Sequence, residues 1–505
     1  MSDETDSSSD GETGESPGDA PDEHVLIAER RAKLERLRAA GRDPFPPSFP
    51  AREPIADVRA AHEALEDGEE TDVRHTVAGR VMAKRGMGKA AFLDLRDGTG
   101  KIQLQSRSDV LGADEHAALL ETDLGDFVGI EGTAFKSRRG ELTIRVESWT
   151  PLAKSLRPLP DKHHGLVDVE TRFRHRELDL IANPDVLQRF KQRAGVVAAT
   201  RRFLDEDGFT EVETPILQPL YGGALARPFT THHNALDRDL YLRIATELYL
   251  KRCIVGGIDR VYELGKDFRN EGISPKHNPE FTMIEWYEAY ADYDDAARRL
   301  ETLVATVAEE VFGTTSIERD GATIDLTPPW RRITMRDAIL EHAGIDIGTR
   351  PSREELAAAI GMSAPPSDAG WGKLVDMVFS AEVEPQLIQP TFVMDYPVEL
   401  SPFAKNHRSE EGLVERWEAF VGGFEIANAF TELNDPDEQR RRFDMQAEEL
   451  KRGDEETQPH DEDFLRALEQ GMPPTAGVGL GIDRLVMLLT GAPSVREVLL
   501  FPAMR

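Results

Sequence analysis

The stretch from Val261 to Tyr293, VYELGKDFRNEGISPKHNPEFTMIEWYEAYADY, constrains the fold more than any other. An apolar, β-rich lead-in delivers Arg269 inside FRNEG, a loop closed by Pro275 and Pro279 carries Lys276, His277 and Asn278, and a second strand, FTMIEWY, returns. Two strands around such a loop make a grip for a nucleotide. Arginine offers a planar fork to phosphate oxygens, while lysine and histidine add charge. An ordinary surface hairpin is the blander reading of three basic residues in a loop. Against it stands Glu285, a solitary carboxylate in an aromatic strand where burying it is expensive.

At 505 residues the chain calls for two or three domains. No apolar run reaches the roughly 18 residues of a membrane span, and the first residues carry neither the basic nor the apolar region of a secretory signal. A single cysteine, Cys253, excludes internal disulfides and cysteine-rich metal sites and fits a reducing cytosol. The net charge of −32 argues at first sight against a nucleic-acid partner. Nine acidic residues lie before Val25, and without them the charge is still −23, so the acidity is spread through the chain. Arginine also greatly outnumbers lysine. This balance reads as adaptation to high internal salt, where screening is short-ranged; an acidic enzyme of an ordinary cytosol is the competing reading.

Residues 1–24 are Asp, Glu, Ser, Gly and Pro, a composition that cannot bury a core and predicts a disordered acidic tail. Residues 25–75 open with a charged amphipathic helix, HVLIAERRAKLERLRAAG, stopped by Gly41 and a proline-rich segment. Five short alternating segments over residues 76–151 predict a small closed barrel of the oligonucleotide-binding kind. In it Phe92, Gln103 and Glu141 would offer an aromatic platform, an amide and a carboxylate to splayed bases, although a lone Phe92 is more often core. Residues 152–170 read as a linker. From 171 to 505, strands dispersed among helices describe an α+β domain on a largely antiparallel sheet, with 315–390 as a helical insertion and WEAFVGGFEIANAFTELN (417–434) as strand.

No G-x-x-x-x-G-K-[ST] occurs, so ATP, if used, is not held by a P-loop. The glycines of GVGLGIDRLVMLLTG do not fit G-x-G-x-x-G either. They do let a flat ligand approach the backbone, and Arg484 at the helix start could lie over an adenine or reach a phosphate. Glu418 and Glu425 sit among Phe420, Val421, Phe424, Ile426 and Phe430, where solvation is poor. Such carboxylates, converging on triphosphate oxygens, would hold Mg²⁺.

Three stretches, FTEVETPIL with the following YGGALARPF, FRNEGISPKHNPEFTMIEWYEAYADY, and GVGLGIDRLVMLL, resemble motifs 1, 2 and 3 of class II aminoacyl-tRNA synthetases. With LRPLPDKHHG, LIQPTFVMDYP, EIANAFTELND and the closing LLFPAMR, the chain is similar specifically to the class II lysyl-tRNA synthetases from about residue 25 onward. The resemblance implies an OB-fold barrel that reads the anticodon, followed by a class II catalytic domain, and a symmetric homodimer formed through motif 1. It implies ATP, L-lysine and tRNA(Lys) as substrates, Mg²⁺ as cofactor, and a cytoplasmic setting.

Residue by residue, the resemblance gives Arg269 to the α-phosphate and Glu271 to the adenine amino group. His277 and Asn278 would reach distal phosphates or the adenine edge, and Phe281 and Arg484 would take the two adenine faces; Arg269 and Arg484 are the catalytic pair. Glu418 and Glu425 match the Mg²⁺ ligands. Gly223, Glu247 and Asn428 would address the amino acid's α-amino and carboxylate groups, and Glu285, Tyr287 and Glu432 its side-chain ammonium. Phe92, Gln103 and Glu141 match the anticodon-reading positions. Chemistry agrees, since a buried ammonium needs carboxylate and hydroxyl partners, and a site built for it rejects analogues without an editing domain. Two positions depart from the pattern: Phe424 where arginine is expected, and Phe403 in SPFAK where leucine is expected. The alternatives are a lysine ligase acting on a protein, against which the barrel argues, and an inactive RNA-binding paralogue, against which the intact Arg269, Arg484, Glu418 and Glu425 argue.

Overall fold

The computed structural model describes residues 23–86, 88–160, 166–366, 369–451 and 459–504. Most of the acidic tail and residues 161–165 of the expected linker lie outside them. The chain forms two compact units, residues 1–165 and 166–505.

In the first unit, helix α1 (Glu23–Ala39) is followed by the short α2 (Ile55–Ala61) and five strands. These are β1 (Glu70–Arg85), β2 (Ala90–Arg96), β3 (Lys101–Arg107), β4 (Phe127–Lys136) and β5 (Leu142–Ala153), closed in the order β1-β2-β3-β5-β4. Alternation sends Leu93, Leu95, Ile102, Leu104 and Ile144 into the barrel core, which Ile55 and Val58 of α2 join. The strands begin earlier than expected: Glu70 already pairs with Phe135. Lys33 of α1 reaches Asp123 at 2.5 Å, and the buried Lys154 bonds Asp123 and Asp126, so β5 ends on a charged cluster.

The second unit is built on an eight-stranded sheet. Helix α3 (Pro184–Glu206) precedes β6 (Thr210–Glu211), and α4 (Glu247–Val255) precedes the opening hairpin of β7 (Arg260–Phe268) and β8 (Glu280–Ala289). After α5 (Tyr293–Phe312) come β9 (Arg331–Thr334), β10 (Thr391–Pro397), β11 (Leu413–Val421), β12 (Phe424–Thr431), β13 (Thr475–Gly481) and α6 (Ile482–Thr490). The order is β9-β10-β11-β12-β13-β8-β7-β6, antiparallel except at the outermost pair on each side. One face packs Trp286, Ile284, Trp417, Val478 and Leu480 against α3 and α5; on the opposite face α4 covers Val261, Tyr287 and Ala289.

Two segments differ from the sequence reading. WEAFVGGFEIANAFTELN is not one strand but the β11–β12 hairpin, turning at Gly422 and Gly423 with φ of +64° and +76°. Two consecutive left-handed residues are what a two-residue hairpin loop needs, and glycine adopts them freely. Residues 315–390, expected to be helical, open instead with a hairpin, Ser316–Arg319 and Ala322–Asp325, and then strand β9. Its alternation buries Ile317 and Ile324 in the main core, and helices begin only at Met335.

Candidate active site

Strand register builds the site. One row across the sheet runs Glu418, Asn428, Gly479, Glu285, Glu263 on β11, β12, β13, β8 and β7. The row two residues along runs Arg416, Phe430, Gly477, Tyr287, Val261. Residues opposite one another point to the same face, so the glycines of β13 leave a lane without side chains between two strands that carry them. A Cβ at Gly477 would overlap Glu432 Oε1 and the Tyr287 ring, and one at Gly479 would overlap the Met283 methyl. Two adjoining cavities, of about 150 and about 250 Å³, occupy the lane and share Arg269, Met283, Glu425, Asn428 and Gly479.

The smaller cavity is lined by Arg269, Glu271, His277, Asn278, Phe281, Glu425 and Arg484. The Arg269 guanidinium lies 5.0 Å from the Phe281 ring centre. Arg484, at the start of α6, donates to the Glu425 carboxylate and carbonyl at 2.8 Å each, and meets His277 Nε2 at 3.3 Å. Burial and the nearby Arg484 hold the His277 imidazole below its usual range. Asn278 lines this cavity; its side-chain amide donates to Glu280 O at 2.6 Å and accepts from the Ala503 amide at 3.2 Å, which ties the loop to the C-terminal segment. Asp483, unmarked by the sequence reading, accepts from the Thr282 amide and pairs with Arg193 of α3 at 2.6 Å, joining the motif 2 and motif 3 segments to α3.

The larger cavity is lined by Gly223, Glu247, Glu285, Tyr287, Asn428 and Glu432, with Arg416 and Glu418 at its far end. Gly223 has φ +89°, and a Cβ there would stand 2.9 Å from Glu247 Cβ. Glu285 accepts from the Thr246 amide at 3.2 Å and from the Tyr287 hydroxyl at 3.1 Å. Burial, with Asp267 and Glu247 nearby, pushes its carboxyl up to about 8. Glu432 is likewise pushed up to about 8 by burial, Lys251 partly opposing, and Glu247 is raised for the same first reason. A pocket of three carboxylates that resist ionisation in isolation is a site awaiting a cation.

Glu418 and Glu425 both face this cavity. Glu418 is raised to about 7 by burial, against the pull of its partner Arg416, with Glu425 and Asp376 adding repulsion. Among the described residues no group of three or more metal-ligating side chains occurs. Two mutually repelling carboxylates beside a phosphate-sized space nevertheless fit a small hard cation that takes its other oxygens from substrate and water. Phe424 points away from the cavities: it is buried in the core with the Arg319 guanidinium 4.9 Å from its ring centre, and Lys276 is held to Glu384 at 2.9 Å nearby. Phe403 lines the larger cavity. Beneath the hairpin, Arg243 pairs with Glu263 and Asp267, a buried ion group that the sequence reading passed over.

In the barrel, Phe92 and Gln103 lie on the outer face of adjacent strands, each half-buried, Phe92 opposite Gln105 and Gln103 opposite Asp94. Glu141 precedes β5, 3.6 Å from Arg59, and Gln103 accepts from the Thr143 hydroxyl at 3.1 Å. The three sit on one side of the barrel. Arg145, which follows Gln103 and Thr143 on this surface opposite Gln105, is an additional cation there.

A largely antiparallel sheet that offers an arginine from a hairpin and a second from a glycine strand to one lane, in a chain that begins with a five-stranded barrel, defines a class II aminoacyl-tRNA synthetase. Residues 168–505 match the tRNA synthetases class II (D, K and N), and residues 75–152 match the OB-fold nucleic acid binding domain. A lysine–tRNA ligase of Pelotomaculum thermopropionicum is 52% identical over 497 residues, 97% of each chain. Those of Moorella thermoacetica and Nostoc punctiforme are 52% and 50% identical, over 96% of this chain and 98% and 88% of their own. The chain belongs to the lysine–tRNA ligase family.

Proposed function

We propose that the chain activates L-lysine with ATP to lysyl-adenylate and pyrophosphate and then transfers the lysyl group to the terminal ribose of tRNA(Lys). The observation that carries this reading is the larger cavity: Glu247, Glu285 and Glu432, with Tyr287, surround a space that adjoins the arginine-lined one. An aspartate or asparagine pocket would need cations or amides there; three carboxylates suit a substrate with two ammonium groups.

ATP lies in the smaller cavity, with Arg269 at the α-phosphate, Glu271 at the adenine amino group, His277 toward the distal phosphates, and Phe281 and Arg484 on the adenine faces. Lysine lies in the larger one, its α-amino group at Glu247 and Gly223, its carboxylate near Asn428, its ε-ammonium between Glu285, Tyr287 and Glu432. The lysine carboxylate oxygen bonds to the α-phosphorus as the bond to the bridging oxygen breaks, and pyrophosphate departs with that electron pair. Arg269 and Arg484 stabilise the charge that develops on the phosphates. Glu418 and Glu425 would hold Mg²⁺, which supplies further charge neutralisation when bound. The ribose hydroxyl oxygen then bonds to the lysyl carbonyl carbon as the bond from that carbon to the phosphate oxygen breaks, and AMP leaves with the electron pair, its phosphate taking up the hydroxyl proton. No protein nucleophile is needed.

Phe92, Gln103 and Glu141 read the anticodon by stacking and hydrogen bonding. A symmetric homodimer formed around motif 1 is supported by the exposed Ile216 and Leu217 in that motif and by Leu500 and Phe501 beside α3. Among the described residues no helix is long and apolar enough to cross a membrane, and a cytosolic setting accords with the lone Cys253. The test is lysine-dependent ATP–pyrophosphate exchange followed by charging of tRNA(Lys). Exchange and charging are expected together. Exchange without charging points to a protein-modifying ligase, and absence of exchange to an inactive paralogue.

A further inference from the structure

Lys251 belongs to no role assigned above. It sits on α4 one turn after Glu247, fully buried, and its Nζ lies 2.5 Å from Glu247 Oε1 and 2.5 Å from Glu432 Oε2. The Phe403 and Phe464 rings approach it at 5.0 and 6.0 Å. Glu247 and Glu432 line the cavity, whereas Lys251 stands behind them. The second oxygen of each carboxylate is turned elsewhere: Glu247 Oε2 toward Gly223, and Glu432 Oε1 toward Gly477 and Tyr287; neither Glu432 oxygen has a hydrogen-bond partner, and Oε2 meets Lys251 as an ion pair.

We infer that Lys251 is a positioning residue for amino-acid selection: from behind the wall it holds one oxygen of Glu247 and one of Glu432, leaving the second oxygen of each to receive the substrate's amino groups. The inference rests on the lysine pocket proposed above. The groups facing this ion triad are Glu247 on α4 itself, Glu285 and Tyr287 on β8, Glu432 beyond β12, and Arg416 on β11, which acts on Glu247. Three carboxylates and a tyrosine hydroxyl thus converge, and Lys251 is the cation in direct contact with two of the carboxylates. A buried ammonium at that distance favours the ionised carboxylates by Coulomb attraction. Its removal would raise both carboxyls further, so that an incoming lysine could displace their protons only at higher pH.

The pH dependence of lysine activation tests this, read as kcat and lysine KM in ATP–pyrophosphate exchange between about pH 6 and 8.5. The variants are Lys251→Met, Lys251→Gln and Lys251→Arg. Either neutral variant should raise the lysine KM about tenfold or more at pH 7. It should also move the pH of half-maximal kcat/KM upward by about one unit or more, with the KM for ATP unchanged. Lys251→Arg should restore the wild-type profile. An equal loss at every pH, an unchanged lysine KM, or a chain that folds only with Lys251→Arg assigns the residue to stability alone and overturns the inference. Glu432→Gln separates the two levels: if it retains a normal lysine KM, the pocket reading itself fails. If it loses lysine activation while the neutral variants keep the wild-type profile, only the role of Lys251 fails.

Discussion

Glu432 is 1% exposed, and its Oε1 has no partner within the protein. Lys251 meets only its Oε2, so a cationic ligand at Oε1 would gain a partner that shorter or neutral ligands cannot supply. Glu432→Gln keeps the volume and removes the charge. It is expected to lower kcat/KM for lysine in pyrophosphate exchange by about 100-fold or more while leaving the thermal unfolding transition in place; near-normal activity would mean that the ammonium binds elsewhere. At this scale the sequence was informative where a residue's chemistry conflicts with its neighbours. Glu285 stands in an apolar strand and Glu432 directly after one, and that conflict is visible in one dimension. Lys251 was not legible, because a lysine on a helix reads as a solvated face until the fold places two carboxylates against it. The tie from Asn278 to Ala503, 225 residues away, was illegible for a related reason.

The decisive element is β13, a strand whose value lies in what it lacks. Ala476, Val478 and Leu480 face the core, while Gly477, Gly479 and Gly481 alternate with them on the ligand side. Glycine weakens a strand, and here its cost is offset by the space it opens in the two five-residue rows that carry Glu285, Asn428 and Tyr287. Gly477→Ala would drive a methyl group into Glu432 Oε1 and the Tyr287 ring. Its expected effect is a rise in lysine KM of about tenfold or more, read by pyrophosphate exchange, with a smaller change in the KM for ATP; equal effects on both substrates would refute the lane as the amino-acid site. Period-two alternation made β13 and the motif 2 hairpin readable. The Gly422–Gly423 turn carried an equally good hairpin signal that strand patterning on both sides obscured, and the Ser316–Asp325 hairpin was too short for alternation to emerge from its polar residues.

At the scale of the whole molecule, the synthetase match and the OB-fold match fall in separate units, residues 166–505 and 1–165. Phe92→Ala should therefore lower tRNA(Lys) charging by the value of one stacked base, about 1–3 kcal/mol, and leave lysine activation unchanged; equal losses would contradict an anticodon role. The net charge of −32 bears on both units. Exposed arginines are engaged by acidic neighbours, as in Arg74 with Glu147, Arg145 with Glu70, Arg336 with Asp346 and Arg440 with Glu462, yet carboxylates remain in large excess. At low ionic strength that excess repels itself over the roughly 10 Å Debye length of about 0.1 M salt, and at molar salt the length falls to about 3 Å. We propose that the chain works at high internal KCl. The melting temperature should be higher by at least about 5 °C at about 2 M than at about 0.1 M KCl, with exchange activity rising in parallel. Full folding and activity at low salt would refute the adaptation. Counterion release contributes little to RNA binding at high salt, so the KCl dependence of tRNA(Lys) affinity should be shallow there, and stacking on Phe92 should account for a larger share of that affinity than it does at about 0.1 M.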